Sequence, residues 1–164
     1  MSRLLSVLIA EDDESDVYFM MRALKKAELE NPVTFVPDGL AAIEALSHAK
    51  AQPEQRLPAL VLLDLKMPRR TGLQVLEWMR REPVIRSIPA VVLSSSSNQS
   101  DIEAAYEAGA NGFLMKSPSS ENRLEIAIFI KAWLRLMQPP LTASESFKVA
   151  LAYRASSTAA EDPA

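Results

Sequence analysis

The chain has 164 residues, 48% of them hydrophobic and 24% charged, with a formal net charge of −3; these are ordinary values for a globular protein with enough chain for one domain and a real core. They offer no nucleic-acid surface, since a basic cluster such as Arg69-Arg70 with Lys66 nearby is too small to make one. The absence of cysteine excludes disulfides, thiolate metal sites and cysteine nucleophiles, and no apolar run has the length of a membrane span or the form of an export signal, so a cytoplasmic protein is expected.

Residues 5–10 read as a buried strand. Residues 14–30 carry Val17, Met20, Met21 and Leu24 at helical spacing until Asn31-Pro32 stops them. A short strand over 33–36 precedes a helix over 39–50, with Leu40, Ile43 and Leu46 on one face, and then a loop rich in Pro, Gln and charge over 51–58. Residues 59–64 form a strand with no polar side chain before Asp64, and 73–81 a helix with Val75, Leu76 and Met79. The strand at 90–93 breaks into Ser94-Ser95-Ser96-Ser97, and Ser100 with Glu103 reads as a capping box opening a helix that reaches Gly109. A last strand, 112–115, and a last helix, 119–137, complete the series. Beyond Pro139-Pro140 the composition shifts to Ala, Ser, Thr and Glu. The expected organisation is therefore one domain over 1–138 and a largely flexible extension over 139–164, in which Phe147, Val149, Leu151 and Tyr153 could form a short helix or arm.

Five β-α pairs with continuously apolar strands predict an α/β domain, a doubly wound five-stranded parallel sheet with five helices. Ligands in such sheets sit at the carboxyl ends of the strands. There the sequence places Glu11-Asp12-Asp13, Asp64, Ser94 and Lys116. Any one of these alone is more often a solvated loop residue, but the set has a joint chemical reason. Clustered carboxylates repel one another unless a cation joins them, and hard oxygen donors suit Mg²⁺, which also binds phosphate. A carboxylate beside such a cation can attack phosphorus, while a lysine neutralises charge on the transferring group.

Four stretches carry a resemblance to the receiver domains of two-component response regulators: Val7-Leu8-Ile9-Ala10-Glu11-Asp12-Asp13, Leu62-Leu63-Asp64-Leu65-Lys66-Met67-Pro68 with Gly72, Val91-Val92-Leu93-Ser94-Ser95, and Gly109-Ala110-Asn111-Gly112-Phe113-Leu114-Met115-Lys116. The resemblance spans about residues 4–137 and implies a flavodoxin-like receiver fold. By it, Glu11 and Asp12 are the acidic pair, Asp12 being the closer metal ligand. Asp64 is the phosphoacceptor and a metal ligand, and the backbone carbonyl of Lys66 completes the Mg²⁺ set. Ser94 is the switch hydroxyl, Phe113 the switch aromatic and Lys116 the phosphate-binding lysine. The implied function is a single-domain regulator. It takes a phosphoryl group from a sensor histidine kinase, assists its own phosphorylation and dephosphorylation without turning over a separate substrate, and signals to a partner protein by changing shape.

Finer features resemble the single-domain regulators that partner cyanobacterial-type phytochrome kinases, which implies a bacteriophytochrome as the kinase. These are the longer loop before the third strand, Arg69-Arg70-Thr71-Gly72 followed by Leu76, and the helix end Ile102…Tyr106…Gly109-Ala110-Asn111. Two positions depart from the family pattern. Ser117 separates Lys116 from Pro118, where the family joins Lys to Pro through a cis peptide; a non-prolyl cis bond costs roughly 2.5–4 kcal/mol, so the geometry of that loop is left open. Phe113 lacks the hydroxyl of the tyrosine often found there, so any switching by it rests on packing alone. A haloacid-dehalogenase-like phosphatase also uses a strand-end Asp but needs a second Asp two residues on, and position 66 is Lys. A non-phosphorylated scaffold descended from receivers would not need every chemical position filled.

His48 reads as a surface residue and Trp78 and Trp133 as core or interface. On the last helix, Ile126, Ile130, Trp133, Leu134 and Met137 share one side at about 100° per residue, enough to cover the sheet. Leu124, Ile128, Phe129 and Leu136 fall outside or at its margin, which predicts a homodimer through this helix and the neighbouring strand face. The resemblance implies the same.

Overall fold

In the computed structural model, which describes residues 4–52 and 55–137, the apolar segments form five parallel strands: β1 (Val7–Ala10), β2 (Val33–Val36), β3 (Leu60–Asp64), β4 (Ala90–Ser94) and β5 (Gly112–Met115). Five α-helices connect or follow them: α1 (Glu14–Lys26), α2 (Gly39–Ala51), α3 (Gly72–Arg81), α4 (Gln99–Glu107) and α5 (Ser120–Leu136). The strand order is β2-β1-β3-β4-β5. Winding reverses at β1, between β2 and β3, and this places the crevice of the fold at the carboxyl ends of β1 and β3. The expected domain boundary at 138 and the extension over 139–164 lie outside the described residues.

Strand side chains alternate between two cores, one on each side of the sheet. Leu8, Ala10, Val61, Leu63 and Val92 meet Leu46 of α2 and Val75, Leu76 and Met79 of α3. Val7, Ile9, Leu60, Leu62 and Leu93 meet Met20 and Leu24 of α1 and Ile126, Ile130 and Leu134 of α5. Burial on both faces is what their unbroken hydrophobicity requires.

Several expected boundaries move. Helix α1 stops at Lys26 rather than running to residue 30. Glu28 turns left-handed (φ 55°) and the Leu29 amide donates to the Leu24 carbonyl, a closure that ends a helix before the proline is reached. Met21 is 55% exposed and not part of the core. The capping box expected from Ser100 and Glu103 does not form: α4 begins at Gln99, with Asn98 as an N-cap that makes no side-chain bond, so Ser100 already lies in the first turn. The capping box that does form is Thr71 with Gln74, at the start of α3.

On α5 the sheet-facing residues are Ile126, Ala127, Ile130 and Leu134, and the Trp133 indole donates to the Ala59 carbonyl at 3.3 Å. Ile128 and Leu136 are exposed, as expected of an outer strip. Phe129 lies at the margin of the covered face. Its ring packs 5.8 Å from Trp133 and against the α1/α5 core. His48 is exposed. No helix among the described residues is long and apolar enough to cross a membrane.

Candidate functional site

The carboxyl edge of the sheet is built by residues that terminate strands. The end of β1 delivers Glu11, which is buried, and Asp12, which is exposed. Asp13, the third acidic residue of that run, is spent on local structure: its side chain accepts from the Ser15 and Asp16 amides at 2.8 and 3.1 Å and caps α1. β3 ends in Asp64, whose Oδ1 accepts from the Lys66 amide at 3.3 Å. Gly72 makes this turn possible, because a Cβ there would collide with the Asp64 carbonyl oxygen.

Lys116, just past β5, reaches into the carboxylates. Its Nζ lies 2.6 Å from Glu11 Oε2, 2.9 Å from Asp64 Oδ2 and 3.1 Å from Asp16 Oδ2. Burial alone would lower the Lys116 pKa, but the hydrogen bonds it donates to Glu11 and Asp64 and their negative charge outweigh burial and hold the ammonium above the ordinary lysine value. Burial raises the Glu11 pKa, and Lys116 only partly offsets this.

Ser94 closes β4 with its side chain almost fully buried, accepting from the Ser96 amide at 3.1 Å. In register, Asp64 faces Leu93, so Ser94 stands one position further along the edge. Its carbonyl accepts from the Lys116 amide at 2.8 Å. Phe113 on β5 is half-buried against the α2/α3/α4 core. No cis peptide occurs among the described residues. The loop that Ser117 left open is held by Asn122 instead: its Oδ1 accepts from the Ser117 amide at 2.9 Å and its Nδ2 donates to the Met115 carbonyl at 3.1 Å.

Asp16 and Arg123 are site residues that sequence reasoning missed. Asp16 bridges Lys116 and Arg123, accepting from the latter's NH2 at 3.2 Å, and Arg123 NH1 donates to the Pro118 carbonyl at 2.8 Å. Asp16 sits three residues past a helix cap in an acidic run, and nothing there distinguishes it from a solvated first-turn carboxylate.

Glu11, Asp12 and Asp64 each bring a carboxylate oxygen within 4.8 Å of the others. Among the described residues at this edge, four carboxylates (Glu11, Asp12, Asp16 and Asp64) meet two cations, Lys116 and Arg123. The two negative charges left over would be balanced by a divalent cation, and an all-oxygen donor set is the one hard divalent ions take.

A receiver-domain profile of response regulators matches residues 7–129, and the chain belongs to that family. Receiver domains are signalling proteins in which phosphorylation of an aspartate is converted into a change of conformation. The chain is 31% identical to response regulator Rcp1 of Synechocystis sp. (strain ATCC 27184 / PCC 6803 / Kazusa) over 135 residues, which cover 82% of this chain and 92% of Rcp1. The Mn²⁺-bound form of Rcp1 aligns at 30% identity with a TM-score of 0.72, over 84% of this chain and 99% of that one. The phosphorylated cyanobacterial phytochrome response regulator RcpA aligns over the same shares with a TM-score of 0.74 at 30% identity. Bacteriophytochrome response regulator RtBRR is 35% identical, with a TM-score of 0.66 over 96% of this chain and 95% of its own.

Proposed function

We propose that Asp64 is the phosphoacceptor of this receiver, that Mg²⁺ is its cation, and that the donor is a phytochrome-type sensor histidine kinase. The observation that carries this is the meeting of Glu11, Asp12, Asp64 and Lys116 at one edge of the sheet. One Asp64 carboxylate oxygen bonds to phosphorus as the phosphorus–nitrogen bond of the donor phosphohistidine breaks and the imidazole leaves. Glu11 and Asp12, with Asp12 the closer ligand, Asp64 and the Lys66 carbonyl would hold the cation, which would neutralise charge on the phosphoryl oxygens. Lys116 already pairs with Asp64 and supplies the second positive charge. The phosphoryl group adds about −1.5 to −2 charge; Ser94 Oγ then turns toward a phosphoryl oxygen, giving up the Ser96 amide, and Phe113 repacks with it. The protein acts in the cytoplasm, turns over no separate substrate, and passes its state to another protein as a homodimer.

Incubation with acetyl phosphate and Mg²⁺, followed by intact-mass measurement, tests the assignment. One added phosphate is expected on the wild type and none on Asp64→Asn. Equal labelling of the two would move the phosphoacceptor elsewhere.

A further inference from the structure

Asp38 is a carboxylate only 2% exposed that neither the acidic cluster nor the phosphoryl chemistry uses. It stands in the turn between β2 and α2. Its Oδ1 accepts from the Ala41 amide at 2.9 Å and so caps α2. Its Oδ2 takes the guanidinium of Arg69, from Nε at 3.0 Å and from NH2. The pair ties the loop that leaves Asp64 to a different turn of the same sheet edge. The Ala41 amide and the Arg69 charge together hold the Asp38 carboxyl below its ordinary pKa, against the effect of burial.

Arg69 makes this contact from a left-handed backbone, at φ 62°, a conformation that is strained for a residue with a side chain. The core does not demand it. The Arg69 side chain is 61% exposed, and the loop is anchored inward by Leu65 and Met67. Behind the pair the N-terminus of α2 presses on the same loop, since a Cβ at Gly39 would collide with the Arg70 carbonyl oxygen. Strained residues persist where their surroundings over-determine them, and such sites cluster around function. An ion pair whose arginine is largely exposed likewise adds little net stability, so the pair is better explained by the geometry it enforces.

We infer that the Asp38–Arg69 pair is a clamp that positions the loop after Asp64 so that the Lys66 carbonyl and the Asp64 carboxylate meet the cation together. The inference rests on the cation site proposed above. Asp38 and Arg69 act through the loop and are positioning residues, not ligands.

Titration calorimetry of Mg²⁺ into the full chain tests it, with thermal melts run without metal. Asp38→Asn keeps an acceptor for the Ala41 amide and removes the charge. Arg69→Gly removes the guanidinium and relieves the left-handed backbone, so its melting temperature should stay near wild type. Each should weaken Mg²⁺ binding by about tenfold, the low end for outer-shell partners of a metal site. The double variant should bind no more weakly than either single one, because both break one interaction, and Arg69→Lys should recover part of the loss. Single variants that bind within about twofold of wild type, or losses that multiply in the double variant, overturn the clamp. Should Asp38→Asn not fold, Arg69→Gly carries the test alone. A wild type that binds no Mg²⁺ refutes the cation site and the clamp with it, whereas a binding wild type with unaffected variants refutes only the clamp.

Discussion

Lys116 Nζ lies 2.9 Å from Asp64 Oδ2, a contact made across 52 residues of chain by the ends of two strands. The same ammonium holds Glu11 and Asp16, so one side chain answers three carboxylates. A lysine whose pKa is raised in the fold contributes stability that is complete below its ordinary value, 10.5, and is lost only as pH rises through the higher folded value. At neutral pH the contribution is therefore whole. Lys116→Met should cost about 3 kcal/mol in chelator, the low end for removing one partner of a buried ion pair. Saturating Mg²⁺ should shrink that deficit, because the cation supplies the missing positive charge. Urea unfolding with and without Mg²⁺ measures both, and an equal deficit in the two conditions would contradict the electrostatic account.

Asp16 behaves with the opposite sign. Burial opposes its ionisation, but Lys116 and Arg123 outweigh burial and hold its pKa below 3.8. A depressed carboxylate stabilises the fold fully above its unfolded value and loses that contribution as pH falls through the folded one. Without metal, Asp16→Asn should melt below wild type at neutral pH by the equivalent of about 0.5–1 kcal/mol, as for a partly exposed ion pair. The gap should close as pH drops below 3.8. A gap that stays constant down to acid unfolding would assign the effect to packing.

Gly72 and Gly112 make a matched pair. At Gly72 an added Cβ meets the backbone carbonyl of Asp64, which cannot rotate away, whereas at Gly112 the nearest atom is Val91 Cγ2 at an ordinary 3.5 Å. Gly72→Ala should cost about 1–3 kcal/mol, in the range of overpacking strain, and should displace Asp64 enough to weaken Mg²⁺ binding. Gly112→Ala should leave both unchanged. Urea midpoints for the two variants decide the comparison, and similar midpoints would mean that the loop after Asp64 yields freely.

The strand ends were readable because buried parallel strands are continuously apolar, so Glu11, Asp64, Ser94 and Lys116 mark themselves by interrupting them. Their partners were not. Asp16 is 100 residues from Lys116 and 107 from Arg123, and each looks like a solvated helix charge until the fold brings α1 against α5. Arg80 was hidden for the same reason. It donates to the carbonyls of Gly109, Arg86 and Ile88 and to Asn111 Oδ1, pinning α3 to the far end of β4. In sequence it is one of two arginines closing an amphipathic helix. Gly109, expected as a helix end, is needed there twice over: its φ is +100°, and a Cβ would strike the Arg80 side chain.

The homodimer is tested most cleanly on the part of α5 that the fold leaves uncovered. Ile128 is 53% exposed and Leu136 74%, while Met115 on the edge strand β5 and Tyr106 on α4 are 44% and 51% exposed. Exposed apolar side chains on this helix, on the edge strand and on α4 fit a surface that meets a second copy of itself. Leu124 is half-buried and contributes less. Phe129 is unsuitable as a probe, since its ring packs on Trp133 and the α1/α5 core and a charge there would disturb the fold itself. Ile128→Glu places its carboxylate in solvent in the monomer but sets two desolvated charges into a two-fold interface, one from each protomer. Sedimentation should therefore show a dimeric wild type and a monomeric Ile128→Glu, with the variant's metal-free melting at low protein concentration unchanged. A monomeric wild type, or a dimer that survives both Ile128→Glu and Leu136→Glu, would remove α5 from the interface.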